Sequence, residues 1–152
     1  MSEIVVTAWL PYALDLIKRF EGCRLHAYPD PATGREPITI GWGHTEPGLK
    51  LGTTWSQERC DETLNDDALA FGDRVKAVIH DAPTTATQMA ALVSFAYNCK
   101  DWETSTLIKK HIAGDYEGAR REFGKWINAN GHKEPGLVKR RFAEATMYGR
   151  AI

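Results

Sequence analysis

Apolar residues Leu10, Ala13, Leu14, Ile17 and Phe20 recur at steps of three and four, which predicts an amphipathic helix over roughly 9–20. Glu21 continues that apolar face, and Gly22 directly after it is a helix-stop signal. The period then changes. Ile38, Ile40 and Trp42 alternate with Thr39, Gly41 and Gly43, the pattern of a strand, with the two glycines on a face that a ligand could approach closely. Further on, Thr54 and Gln57 fit a capping box ahead of a stripe of Cys60, Leu64, Ala68, Phe71, Val75 and Ile79, predicting a helix of about 22 residues. A second box, Thr85 and Gln88, precedes Met89, Leu92, Val93 and Ala96. Ser105 to Ile112 is a short helix stopped by Gly114. Tyr116, Ala119, Phe123, Trp126 and Ile127 form the next, stopped by Gly131, and Pro135 is placed to start the last. The class is therefore α+β and mainly helical.

Composition narrows this picture. With 152 residues, 43% of them hydrophobic, the chain can bury a core as a single domain spanning 1–152. The formal net charge of −1 gives no whole-molecule attraction to nucleic acid. Charge is unevenly spread: residues 1–100 hold 9 basic and 13 acidic residues, and 101–152 hold 10 and 7. A basic end favours an anionic cell wall, and a solvated helix face explains it equally well. Cys23, Cys60 and Cys99 cannot all pair internally and show no metal-ligand spacing, nor do the histidines. Buried free thiols in a reducing cytosol are expected for the cysteines, with no metal and no cofactor. The start, Met1 to Thr7, lacks the basic leader and apolar run of a signal peptide or signal-anchor, and no stretch approaches the ~20 apolar residues of a membrane span.

The candidate chemistry lies in two carboxylates with contrasting surroundings. Glu21 falls where a helix ends on its apolar face, a setting suited to an acid that keeps its proton. A frayed surface Glu is the alternative. Asp30, between Pro29 and Pro31, sits in a turn where a carboxylate stays solvated and ionised, able to hold a water; turn formation alone is the plainer role. Gly41-Trp42-Gly43 is no nucleotide motif, since Glu46 takes the third glycine's place.

The run Phe20-Glu21-Gly22-Cys23-Arg24-Leu25, the Asp nine residues after the Glu, and Thr39-Ile40-Gly41-Trp42-Gly43-His44-Thr45 resemble the signature of glycoside hydrolase family 24, the phage-type lysozymes or endolysins. Ala91 to Asn98, Ser105-Thr106-Leu107, Trp126 and Gly136 to Glu144 extend the resemblance over nearly the whole chain. Two stretches depart from it. Pro31 to Ile38 is longer than the family's turn, and Cys99-Lys100-Asp101-Trp102 stands where many relatives carry a glycine turn. The resemblance implies a lysozyme-like two-lobed fold, with an N-terminal hairpin lobe over about 10–55, a connecting helix over about 55–80 and a helical lobe over 81–152. A ligand cleft lies between such lobes.

It also implies roles. Glu21, Asp30 and Thr39 match the catalytic residues. His44 pairs with Asp67 and is structural. Asn98 faces the substrate or caps its helix; Trp126 supports Asn98 or fills the core; Arg140 is an ion-pair partner. The implied activity is a muramidase hydrolysing the β-1,4 bond between N-acetylmuramic acid and N-acetylglucosamine of bacterial peptidoglycan with inversion. Inversion needs carboxyl groups about 6.5–9.5 Å apart. A lytic transglycosylase needs no second carboxylate or water-holding Thr, and a non-catalytic peptidoglycan-binding module needs no acid, so Asp30, Thr39 and Glu21 weigh against both. A monomer is expected, made in the host cytoplasm and released to the periplasm and cell wall through a separately encoded holin, with no stable membrane insertion.

Overall fold

The computed structural model describes residues 7–31, 33–129 and 131–150. The leader expected to be absent from Met1 to Thr7 lies almost wholly outside them. In chain order the elements are α1 (Leu10–Glu21), β1 (Arg24–Tyr28), β2 (Thr39–Gly41), β3 (His44–Thr45), α2 (Gln57–Ile79), α3 (Ala86–Asn98), α4 (Thr106–Ile112), α5 (Tyr116–Glu122), β4 (Asn128–Ala129), β5 (His132–Lys133) and α6 (Pro135–Tyr148), with short 3-10 turns at Trp102–Thr104 and Phe123–Lys125. The α+β, mainly helical class is as expected. Two compact units divide the chain: one holds Ile17–Asp67, the other the residues up to Leu16 and from Ala68 onward.

In the Ile17–Asp67 unit, β1, β2 and β3 form an antiparallel sheet with β2 in the centre. Ile40, Trp55 and Cys60 are its buried core, with Cys23, Ala27, Trp42 and Leu49 packed around them. The strand expected to run on through Trp42 stops at Gly41, and Trp42-Gly43 makes the turn into β3. Gly41 has φ +67°, a conformation that side chains rarely adopt, and a Cβ there would stand 3.5 Å from Cys60 Sγ. This glycine therefore lets the hairpin turn against α2, and the ligand face expected for it is instead packed on protein. The helix after the hairpin also starts differently from expectation. Ser56 Oγ accepts from Arg59 N at 3.1 Å, while Thr54 forms a bridge with His26 and its Oγ1 lies 3.0 Å from His26 Nδ1. Ser56, directly before the first helical residue, competes for the cap and wins by position.

The other unit is built on α3, whose residues Met89 to Ala96 are all buried. The capping box forms as expected: Thr85 Oγ1 accepts from Gln88 N, and the Gln88 side chain accepts from Thr85 N. Phe95 meets Phe123 and Trp126 edge-on, with centroids 5.5 and 5.3 Å away. Pro135 opens α6 as expected. The helix expected to reach Ile127 ends earlier, and β4 and β5 form a small hairpin with Asn128 opposite Lys133. Gly131, read as a helix stop, sits between those strands with φ +79°. A turn glycine looks the same in sequence whether a helix or a hairpin precedes it.

His111 is fully buried, its Nε2 2.8 Å from Thr84 Oγ1 and its Nδ1 2.6 Å from Tyr148 Oη. Burial drives its pKa down to about 4. In the unfolded chain it titrates near 6.5, so its contribution to stability is complete above about 6.5 and fades as pH falls toward about 4. Thermal unfolding should therefore show a loss on the order of 1–2 kcal/mol between pH 7 and pH 5. His111→Gln, less stable at pH 7, should show a flatter profile. An identical acid loss in both proteins would refute this assignment.

Candidate active site

Glu21 is the last residue of α1 and is half-buried; Gly22 follows at φ +68° and turns the chain into β1. Lys18, one turn earlier, stands 5.5 Å from the centroid of Trp42, so the end of α1 lies beside the β2–β3 turn. Asp30 follows β1 and closes its own loop. Its N–H donates to Arg35 O at 2.9 Å, and its carbonyl accepts from Thr33 N at 3.2 Å and Gly34 N at 2.8 Å. The Asp30 backbone is thus held by Thr33, Gly34 and Arg35, which fixes where the carboxylate starts. Thr39 lies on the central strand, opposite Tyr28 on β1 and Thr45 on β3. Directly opposed residues share a face, so Thr39 is turned away from buried Ile40 and its partner His44.

His44 and Asp67 meet as the resemblance implied, with Nδ1 2.6 Å from Asp67 Oδ2. A second carboxylate was missed: Glu46 Oε1 is 3.0 Å from His44 Nε2. The ring also packs on Trp55, with centroids 5.5 Å apart. His44 is therefore held on both nitrogens and one face, a positioning arrangement that ties β3 to α2. Asp61 was missed as well. Its Oδ1 accepts from Trp42 Nε1 at 2.8 Å and from Gln57 Nε2 at 3.0 Å, and the Trp42 bond, more than any other influence, holds its carboxyl below the usual range. Spacing offered one clue, since Gln57 and Asp61 are four apart on one helix face; the Trp42 partner came only from the fold.

Asn98, Trp126 and Arg140 belong to the other unit. Asn98 ends α3, and its Oδ1 accepts from Arg141 Nη2 at 2.7 Å, which leaves its amide nitrogen as the remaining donor. Asn98, Lys100, Lys125, Trp126, Asn128 and Leu137 help line a pocket of about 510 Å³. Arg140 is the expected ion-pair partner: its Nε lies 3.2 Å from Glu144 Oε2, and its Nη2 donates to Ser94 O at 3.1 Å. The pair is one part of a larger buried cluster. Arg141 Nη2 donates to Glu144 Oε2 at 3.3 Å, while its Nε stands 2.8 Å from Glu144 Oε1 without a hydrogen-bonding angle. Burial raises the Glu144 carboxyl above its ordinary range, and the guanidiniums of Arg141 and Arg140 pull against it. Arg141 and Glu144, three apart on α6, carry no sequence signal that separates them from a surface pair.

Glu21 at the end of α1, Asp30 in the loop after β1 and Thr39 on β2 thus belong to one unit. Residues 18–144 match the phage lysozyme family model. The chain belongs to the phage lysozyme family. It is accordingly a lysozyme, a glycoside hydrolase. It is 41% identical over 141 residues to an endolysin of Acyrthosiphon pisum secondary endosymbiont phage 1, covering 89% of this chain and 93% of that one. With an endolysin of Bacillus phage B103 it shares 38% identity over 89% of this chain, but spans only 51% of that protein. A SAR-endolysin of Escherichia phage Mu is 34% identical over 73% of this chain and 65% of its own length. Among solved structures, the muramidase domain of SpmX from Asticaccaulis excentricus has a TM-score of 0.81 at 29% identity, covering 92% of this chain and 96% of that one. The endolysin from Escherichia coli O157:H7 phage FAHEc1 has a TM-score of 0.74 at 34% identity, covering 92% of both.

Proposed function

We propose that this phage lysozyme hydrolyses the β-1,4 bond between N-acetylmuramic acid and N-acetylglucosamine in bacterial peptidoglycan, with inversion at the anomeric carbon. Glu21 donates a proton to the glycosidic oxygen as that bond breaks. Asp30, with the Thr39 hydroxyl, holds a water on the opposite face of the sugar and takes its proton as it attacks. The observation that supports this most is the joint placement of the three residues. Glu21 closes a helix, Asp30 starts from a backbone-closed loop, and Thr39 sits on the central strand of the same unit. Such fixed supports suit a reaction whose rate depends on holding a water in line. In the other unit, the Asn98 amide nitrogen is the donor proposed to meet the glycan or its peptide, kept in orientation by Arg141. Trp126, edge-on to Phe95, keeps the same pocket wall in place.

The proposal extends to action as a monomer that accumulates in the host cytoplasm and reaches the wall through a membrane opened by a separately encoded holin. Among the described residues no helix is long and apolar enough to cross a membrane. The bond and the reaction type are tested together by digesting purified peptidoglycan and analysing the new ends. Reducing muramic acid ends are expected. New N-acetylglucosamine ends would move the cut to the other bond, and 1,6-anhydro muramic acid ends would make the enzyme a transglycosylase.

A further inference from the structure

The proposed reaction uses none of the three cysteines, yet two of them share one small core. The sheet register sets Arg24, the residue after Cys23, opposite Gly41, whose added Cβ would stand 3.5 Å from Cys60 Sγ. Gln57, one turn before Cys60 on α2, donates from Nε2 to Cys23 Sγ at 3.5 Å. Cys23 packs on the core that contains Cys60, near enough for its thiol to act on that of Cys60. Both are free. Cys60 is buried at 1% exposure, whereas Cys23 is only partly buried and is the more accessible of the two.

We propose that Cys23 and Cys60 form a modification site, a dithiol that thiol–disulfide exchange with a small disulfide converts into a cystine joining the entry of β1 to α2. The Cys23 thiolate attacks one sulfur of the oxidant, forming a mixed disulfide and releasing one thiolate. Cys60, losing its proton to solvent, then attacks Cys23 Sγ and expels the second thiolate. The protein loses two hydrogens and the oxidant becomes two thiols. Exposure makes Cys23 the attacking group, and Cys60 the resolving one: burial first, and Cys23 next, push the Cys60 thiol up to about 11. Cys99, also buried and pushed up to about 11, has Arg141 as its neighbour and stays reduced. The new bond closes the whole hairpin segment into a loop, which restricts the unfolded chain and stabilises the unit that carries Glu21, Asp30 and Thr39. Such a bond persists in an oxidising compartment and is lost in a reducing one.

The test is to incubate the native, reduced protein with oxidised glutathione, quench with acid, alkylate in denaturant and map the cysteines by mass spectrometry. The expected product is about 2 Da lighter than the reduced chain before alkylation, carries a Cys23–Cys60 linked peptide pair and is alkylated at Cys99 alone. Its Tm should rise by several degrees, fall back with dithiothreitol, and not respond to oxidant in Cys60→Ala or Cys23→Ser. Recovery of both cysteines as alkylated thiols, or a glutathione adduct on Cys23 that Cys60 never resolves, overturns the proposal. The mapping uses the unsubstituted protein, so its outcome does not depend on whether either variant folds.

Discussion

Glu21→Gln should fold normally and lose at least about 10²–10⁴-fold in turnover, the range general acid catalysis supplies. Glutamine keeps the shape of the side chain at the end of α1 and removes the transferable proton. The glycosidic oxygen would then leave as an alkoxide, which water protonates far less effectively than a group held in place. The measurement is the initial rate of clearing of permeabilised bacterial cells, set beside a thermal melt of the same preparation. Because Gly22 and the α1–β1 turn are untouched, the melt should shift little, or rise where loss of a functional carboxylate relieves a stability cost. A folded Glu21→Gln protein that clears cells at a near-normal rate would remove Glu21 from the role of acid.

Asp30→Asn should be of comparable severity and differ in kind. The loop is closed by the Asp30 backbone, through bonds to Arg35, Thr33 and Gly34, so asparagine leaves that frame intact while removing the base. Binding of insoluble peptidoglycan should survive and turnover should collapse, which pull-down and rate measurements separate. Thr39→Val retains the volume on the central strand and removes the hydroxyl. Since Thr39 faces away from buried Ile40, this change should cost activity more than stability. A valine variant that loses its fold and its activity together would show the hydroxyl to be structural, and an Asp30→Asn enzyme with normal turnover would show that the water is activated elsewhere.

How much of this was visible in the sequence depends on the range of the interaction. Elements defined by local spacing were legible: α1 from its period, the Thr85 box from residues three apart, α6 from Pro135. Gly41 was legible as a glycine but not in its purpose, because Cys60, which it approaches, lies on the helix after the hairpin. Ser56 displaced Thr54 as a cap because Thr54 had a partner, His26, far earlier in the chain. The His44–Asp67 contact came from the family resemblance and not from spacing. Glu46 and Asp61 completed these supports only once the strands and α2 were folded. The Arg141–Glu144 cluster was the least legible: two charges three apart on a helix signal a solvated face, and only the packing of α6 shows that they are buried.

The central claim, that Asp30 and Thr39 direct a water against the face opposite Glu21, is tested most directly by the configuration of the first product. Native enzyme and soluble glycan strands mixed in an NMR tube should give the α-anomer of the new reducing end first, with the β-anomer growing in only as the sugar mutarotates. A β-anomer at the earliest times would contradict the account and make Asp30 a nucleophile.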